Sequence, residues 1–123
     1  MILDHIGLSV ADAERSTAFY TAALAPLGIA PVLSGGGWTG FGRDGRPQFW
    51  FGPGHAANTP MHVAFAARTR DEVRAFHEAA LRAGGRDNGA PGIRAQYHPD
   101  YYAAFVLDPD GHNVEAVCHT PQG

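Results

Sequence analysis

The chain repeats itself. Sliding the sequence by 57 positions, without a gap, sets His5 on His62, Ile6 on Val63, Leu8 on Phe65, Phe19 on Phe76, Leu24 on Leu81 and Gly28 on Gly85. Alanine matches carry little weight in so Ala-rich a chain. The His, Phe, Leu and Gly matches carry more, because they recur at the same points of one pattern. At 123 residues the chain has the size of one domain with one core. The repeat therefore predicts a single α+β domain of two related modules, about 1–54 and 60–119.

Each copy reads as strand, helix, then further strands. In ILDHIGLSV, Ile6, Leu8 and Val10 alternate with His5, Gly7 and Ser9, which is the period of a strand. Asp12 is placed to cap a helix running to about residue 27. Ser16, Phe19, Tyr20, Ala23, Leu24 and Leu27 form its apolar stripe, and Gly28 is its C-cap. The second copy has a strand at 62–67 and the capping box Thr69-x-x-Glu72. Val73, Phe76, His77, Ala80 and Leu81 make its stripe, and Gly84-Gly85 close it. Strands follow at about 30–34, 37–42 and 47–52 in the first copy, and at about 93–97, 102–108 and 113–118 in the second. Asp44-Gly45 and Asp110-Gly111 supply hairpin signals. Each half is thus βαβββ, a small sheet with one face under its helix and the other left as a curved surface.

Composition narrows the partners. The hydrophobic fraction of 45% with 17% charged residues favours a folded globule. Net charge is −3, with no run of Lys or Arg, which argues against a nucleic-acid surface. No apolar run reaches the roughly 18 residues needed to span a bilayer, and Asp4 and His5 interrupt the N-terminal apolar stretch, which reads as a strand and not a signal peptide. Cys118 is the only cysteine, so no internal disulfide can form, and a cytoplasmic location is expected.

Seven histidines are present. His55, in a Gly/Ala-rich loop, and His112, in a hairpin turn, read as ordinary polar residues, and His77 as a half-buried packing residue on its helix. His5 and His62 differ, because they share one position of the first strand in each copy and point away from the apolar face. A pseudo-twofold would bring them towards each other as first ligands for a divalent ion. Glu115, in NVEAVCH, lies out of phase with the apolar Val114 and Ala116, and a buried lone carboxylate needs a partner or an ion. His5, His62 and Glu115 make a 2-His-1-carboxylate set of the kind that takes Fe(II), Mn(II), Ni(II) or Zn(II) with open positions. Cys118 falls on the core phase of its strand and reads as inert.

In these features the chain resembles the vicinal oxygen chelate superfamily, which includes glyoxalase I, bleomycin and fosfomycin resistance proteins and extradiol dioxygenases. The likeness rests on LDHIGLSVADAERSTAFYTAALAPLGI, on HVAFAARTRDEVRAFHEAALRAGG and on FVLDPDGHNVEAVCH, and runs nearly end to end. It implies paired βαβββ modules, often a homodimer whose subunits complete each other's cups, and metal ligands at His5, His62 and Glu115. Glyoxalase I carries a further acidic ligand on the last strand of its first module. Aligning the two Asp-Gly turns puts Phe49, between Gln48 and Trp50, at that point, and none of the three is an acid.

The segment IRAQYHPDYYAAF gathers other useful side chains. His98 and Tyr101 are the candidate proton-moving residues. Arg94 is placed to hold a substrate carboxylate, with Tyr102, Phe49 and Trp50 as further substrate contacts and Trp38 and Phe41 as possible cup lining. The expectation is a metal-dependent enzyme, of lyase, isomerase, transferase or dioxygenase type, acting on a small oxygen-bearing molecule through an enolate or alkoxide. The alternative is a metal-free binding protein of the bleomycin-resistance kind.

Overall fold

The computed structural model describes residues 3–53 and 60–121. Module one comprises β1 (Ile6–Ser9), α1 (Ala13–Leu24) with a 3₁₀ turn Ala25–Leu27, β2 (Ala30–Gly35), β3 (Trp38–Arg43) and β4 (Arg46–Gly52). Module two comprises β5 (His62–Ala66), α2 (Arg70–Arg82), β6 (Arg86–Ile93), β7 (Tyr102–Leu107) and β8 (Asn113–Cys118). The sheets have matching orders, β1-β4-β3-β2 and β5-β8-β7-β6. In each, the first strand pairs in parallel with the last and the others are antiparallel. The expected pair of βαβββ modules is therefore present.

The local signals act as their chemistry requires. Asp12 caps α1 through the Arg15 amide, and Thr69 caps α2 through the Glu72 amide at 3.1 Å. The Glu72 carboxylate reaches back to the amide of Arg68 at 2.9 Å, one residue beyond the usual capping box. Gly28 ends the first helical segment in the left-handed region at φ 74. The β2–β3 and β3–β4 turns each place two successive residues at positive φ, Gly36-Gly37 and Asp44-Gly45, as two-residue hairpins matched to strand twist require.

One strand falls where the pattern did not put it. The second strand of the second module is Arg86–Ile93, and not 93–97. Its sequence RDNGAPGI has no apolar alternation, because it is an edge strand with register shifts around Gly89, and Gly and Pro are tolerated at such edges and bulges.

A single core joins the modules. Leu8, Phe19, Tyr20, Leu24, Phe41, Phe49 and Phe51 pack in one cluster with Val63, Val73, Phe76, Val106, Val114 and Cys118. Tyr20 of α1 reaches across to module two, donating its hydroxyl to Asp108 Oδ2 at 2.5 Å. Asp108 also accepts from the amides of Asp110 and His112. Asp110 in turn accepts from the Ala11 amide and the Ser16 hydroxyl. The Asp108-Pro109-Asp110-Gly111 turn is thus the clasp that fixes α1 to the second sheet.

Candidate functional site

Glu115 organises the outer face of the second sheet. Val114, Ala116 and Cys118 point into the core, so strand alternation sends Glu115 the other way. It is nevertheless 1% exposed. His62 covers it, its Nε2 2.8 Å from Glu115 Oε1, and the Tyr101 hydroxyl donates a short hydrogen bond to Oε2. Both carboxylate oxygens are satisfied, which is what allows a carboxylate to be buried here. Phe105 is the cross-strand partner of Glu115, and its ring lies 6.2 Å from that of His62.

The His62 ring is held from behind as well. Asn113, its partner in the β5–β8 register, places Nδ2 2.6 Å from His62 Nδ1, and Asn88 Nδ2 donates to Asn113 Oδ1 at 3.2 Å. An amide nitrogen can only donate. Nδ1 therefore accepts, and Nε2 carries the proton given to Glu115. Burial, then the hydrogen bond to Glu115, push the Tyr101 phenol up to about 12, so Tyr101 remains a protonated donor at neutral pH.

Tyr101 also contacts His119 edge-on at 5.2 Å, and His119 contacts His98 at 5.8 Å. His98 stands further out, its Nδ1 accepting from the Asp100 amide. His119 is a member of this cluster that the sequence did not single out. It follows the last strand, and only the fold brings it over Tyr101. Arg94 lies over the Phe105 ring at 5.3 Å with two guanidinium nitrogens on the carbonyls of Gly92 and Ala90, so these backbone bonds fix its position on the face.

Tyr102 is not part of this face. As the neighbour of Tyr101 it points oppositely, beneath Arg70 and Arg74 of α2 at 5.1 and 5.5 Å, and it accepts from Arg74 at 2.9 Å. Its expected contact with substrate is corrected by strand alternation. Phe49 and Phe41 are likewise core residues, 3% and 0% exposed. Phe49 packs against Tyr20 at 4.9 Å and Phe65 at 5.2 Å, and only its edge borders the crevice described next.

His5 is exposed, its Nδ1 2.8 Å from Asp4 Oδ1. It shares with His62 the rim of a crevice of about 410 Å³ between the edges of β1 and β5. Ile6, Ile29, Phe49, Val63 and Phe65 make its apolar lining, and Arg43, bonded to the carbonyls of Leu27 and Ala66, borders it. Among the described residues no three His, Cys, Asp or Glu side chains gather into a set that could hold a metal ion. One chain brings His62 and Glu115 together and leaves His5 apart. His55 lies outside the described residues.

Residues 2–116 match the model of the Glyoxalase/Bleomycin resistance protein/Dioxygenase superfamily. The chain belongs to that superfamily. A glyoxalase/bleomycin resistance protein from Albidiferax ferrireducens T118 is similar in structure, with TM-score 0.86 and 28% identity over 96% of this chain and 99% of that one. A glyoxalase-related enzyme from Fulvimarina pelagi (TM-score 0.72, 22% identity, 96% and 87% covered) and the oxidase ChaP-H2 (0.69, 23%, 100% and 96%) share the fold. No curated protein matches.

For a member of the glyoxalase superfamily, the register of the two modules carries information. Glu115 pairs with Ala64, and Gly7, the counterpart of Ala64, pairs with Trp50. The position equivalent to Glu115 is therefore Trp50, not Phe49, which pairs with Ile6 and matches Val114. Trp50 lies flat over Gly40, where an added Cβ would stand 2.8 Å from the indole, and Trp38 lies over Gly52, where it would stand 2.5 Å away. The outer face of the first sheet is aromatic where that of the second is ionic. The first module offers no carboxylate at that point.

Proposed function

We propose that this glyoxalase-superfamily member is a divalent-metal enzyme acting on a small oxygen-bearing substrate. The observation that carries the reading is the His62–Glu115 pair. Its 2.8 Å separation suits two neighbouring donors on one ion, for which N and O ligand distances run about 2.0–2.2 Å, and imidazole with carboxylate is a donor set for Zn, Ni, Mn or Fe. Two donors are too few, and His5 is the third. It is exposed on the other module's rim, so a second copy of the chain, in a homodimer, is the source that completes the set.

A bound ion there would supply Lewis-acid stabilisation of negative charge developing on a substrate oxygen. The rest falls to the chain. Tyr101 holds Glu115 in place and keeps its own proton at neutral pH. His98 and His119, beside it, are the groups to carry a proton to or from the substrate. Trp50 and Trp38 offer flat apolar surface, and Arg94 sets positive charge on the ionic wall. The missing acid at Trp50 favours a three-ligand reaction, of transferase or dioxygenase type, over glyoxalase I chemistry.

A second reading has one observation in its favour. Glu115 is fully hydrogen-bonded without an ion, which suits a metal-free binding protein using the tryptophan face. Elemental analysis of natively purified protein separates the two, run on wild type and on His5→Ala, His62→Ala and Glu115→Ala with sedimentation in parallel. About one equivalent of transition metal per site, lost in each variant, supports the enzyme. Folded wild-type protein that takes up no Mn, Fe, Ni or Zn overturns it.

A further inference from the structure

The hydrogen bonds around Glu115 all run one way. Asn88 donates to Asn113, Asn113 to His62 Nδ1, His62 to Glu115, and Tyr101 closes from the other side. In this arrangement the His62 nitrogen nearest Glu115 carries a proton, and a protonated nitrogen cannot ligate an ion. Ligation through Nε2 needs the other tautomer, with the proton on Nδ1 and an acceptor facing it.

We infer that Asn113, braced by Asn88, is a positioning residue that supports both tautomers of His62. A side-chain amide is donor at one end and acceptor at the other. Turned by half a rotation, Asn113 presents Oδ1 to an Nδ1 proton at the same 2.6 Å contact. Its nitrogen then faces Asn88, whose own amide turns with it, so the pair stays hydrogen-bonded in both states. With the amides as they stand, His62 is locked onto Glu115. With both turned, the Nε2 lone pair is free for an ion shared with Glu115. Among the described residues no other side chain hydrogen-bonds to Nδ1, so the choice of state rests with Asn113. The second of these states presupposes the metal reading, whereas the first does not.

Two measurements test the inference on the full-length protein. In metal-free, nitrogen-15-labelled protein, a scalar coupling across the N–H···N bond should link Asn113 Nδ2 to His62 Nδ1, with the proton of the ring on Nε2. Addition of zinc should abolish that coupling and move the proton to Nδ1. Titration calorimetry with zinc alone should show Asn113→Leu binding about 10–100-fold more weakly than wild type, the usual cost of losing an outer-shell partner. Asn113→Asp, which keeps an acceptor for Nδ1–H, should bind at least as tightly as wild type. Asn113→Leu with unchanged affinity would overturn the inference. So would a metal-free protein whose His62 already carries its proton on Nδ1. If wild type takes up no zinc, the metal reading and the loaded state fall together, and the coupling still decides whether Asn113 holds the ring.

Discussion

Replacing Tyr20 by Phe removes one oxygen from the centre of the molecule and nothing else. The ring is fully buried and packs at 4.9 Å against both Phe19 and Phe49 and at 5.3 Å against Phe51, and a Phe fills the same space. What is lost is the 2.5 Å bond from the hydroxyl to Asp108. Hydrogen bonds to charged groups contribute about 1.5–3 kcal/mol. The amides of Asp110 and His112 both bond Asp108 Oδ1, so the buried Oδ2 loses its donor, and the cost should be about 2–3 kcal/mol. For a chain of this size that corresponds to a Tm lower by about 8 °C. Urea melts of Tyr20→Phe, Asp108→Asn and the double variant should show a coupling of about 1–2 kcal/mol with an unchanged m-value. Burial first, and then the charges of Asp108 and Asp110, raise the Tyr20 phenol well above its ordinary range. Its folded pKa exceeds its unfolded value of about 10. The contribution is therefore complete below that pH and declines only above it, and the difference from Tyr20→Phe should be flat from neutral pH to about 9. A loss below about 0.5 kcal/mol, or additive single variants, would refute the account of the Asp-Pro-Asp-Gly turn as the clasp between modules.

Three further outcomes follow from the same geometry. Tyr101 has a folded pKa of about 12 against about 10 unfolded, so its support of the fold is complete below about pH 10 and lost as pH rises through 12. The ultraviolet difference between wild type and Tyr101→Phe should show no Tyr101 phenolate at pH 10, and a phenolate there contradicts the contact with Glu115. Gly52→Ala drives a Cβ to 2.5 Å from the Trp38 ring and should cost about 1–3 kcal/mol with a changed near-ultraviolet dichroism, whereas an unchanged spectrum would mean the indole does not lie on that strand. Thr69→Ala removes the cap of α2 and should cost about 1 kcal/mol, while Thr69→Ser should recover most of it in a thermal melt.

The repeat made most of the fold legible, because a duplicated module constrains both halves at once. Phe19 with Phe76 and Gly28 with Gly85 fixed the two helices in phase, and Asp12 and Thr69 marked their starts. Strand Arg86–Ile93 was not legible, since an edge strand with bulges at Gly89 leaves no alternation to read. At the site, alternation placed His62 and Glu115 on one face and could have placed Tyr102 on the other, because consecutive residues of a strand cannot share a face. The error at Phe49 came from aligning turns, whose lengths differ between the modules. Only the strand register, in which Gly7 meets Trp50 as Ala64 meets Glu115, shows which residue stands where. His119 had no sequence signal, because its contact with Tyr101 depends on where the chain goes after β8.

That register gives the two modules different surfaces. At equivalent points of one ancestral surface, the second carries a buried carboxylate with three hydrogen-bonding side chains in series behind it, and the first carries an indole lying on glycine. A carboxylate at Trp50 would need its own donors, and Gln48 and His5 are exposed rather than packed behind that position. The glycines at 40 and 52 have the opposite effect, clearing the backbone so that two rings can lie flat. Charge and its hydrogen-bond support are thus gathered on one sheet and apolar area on the other.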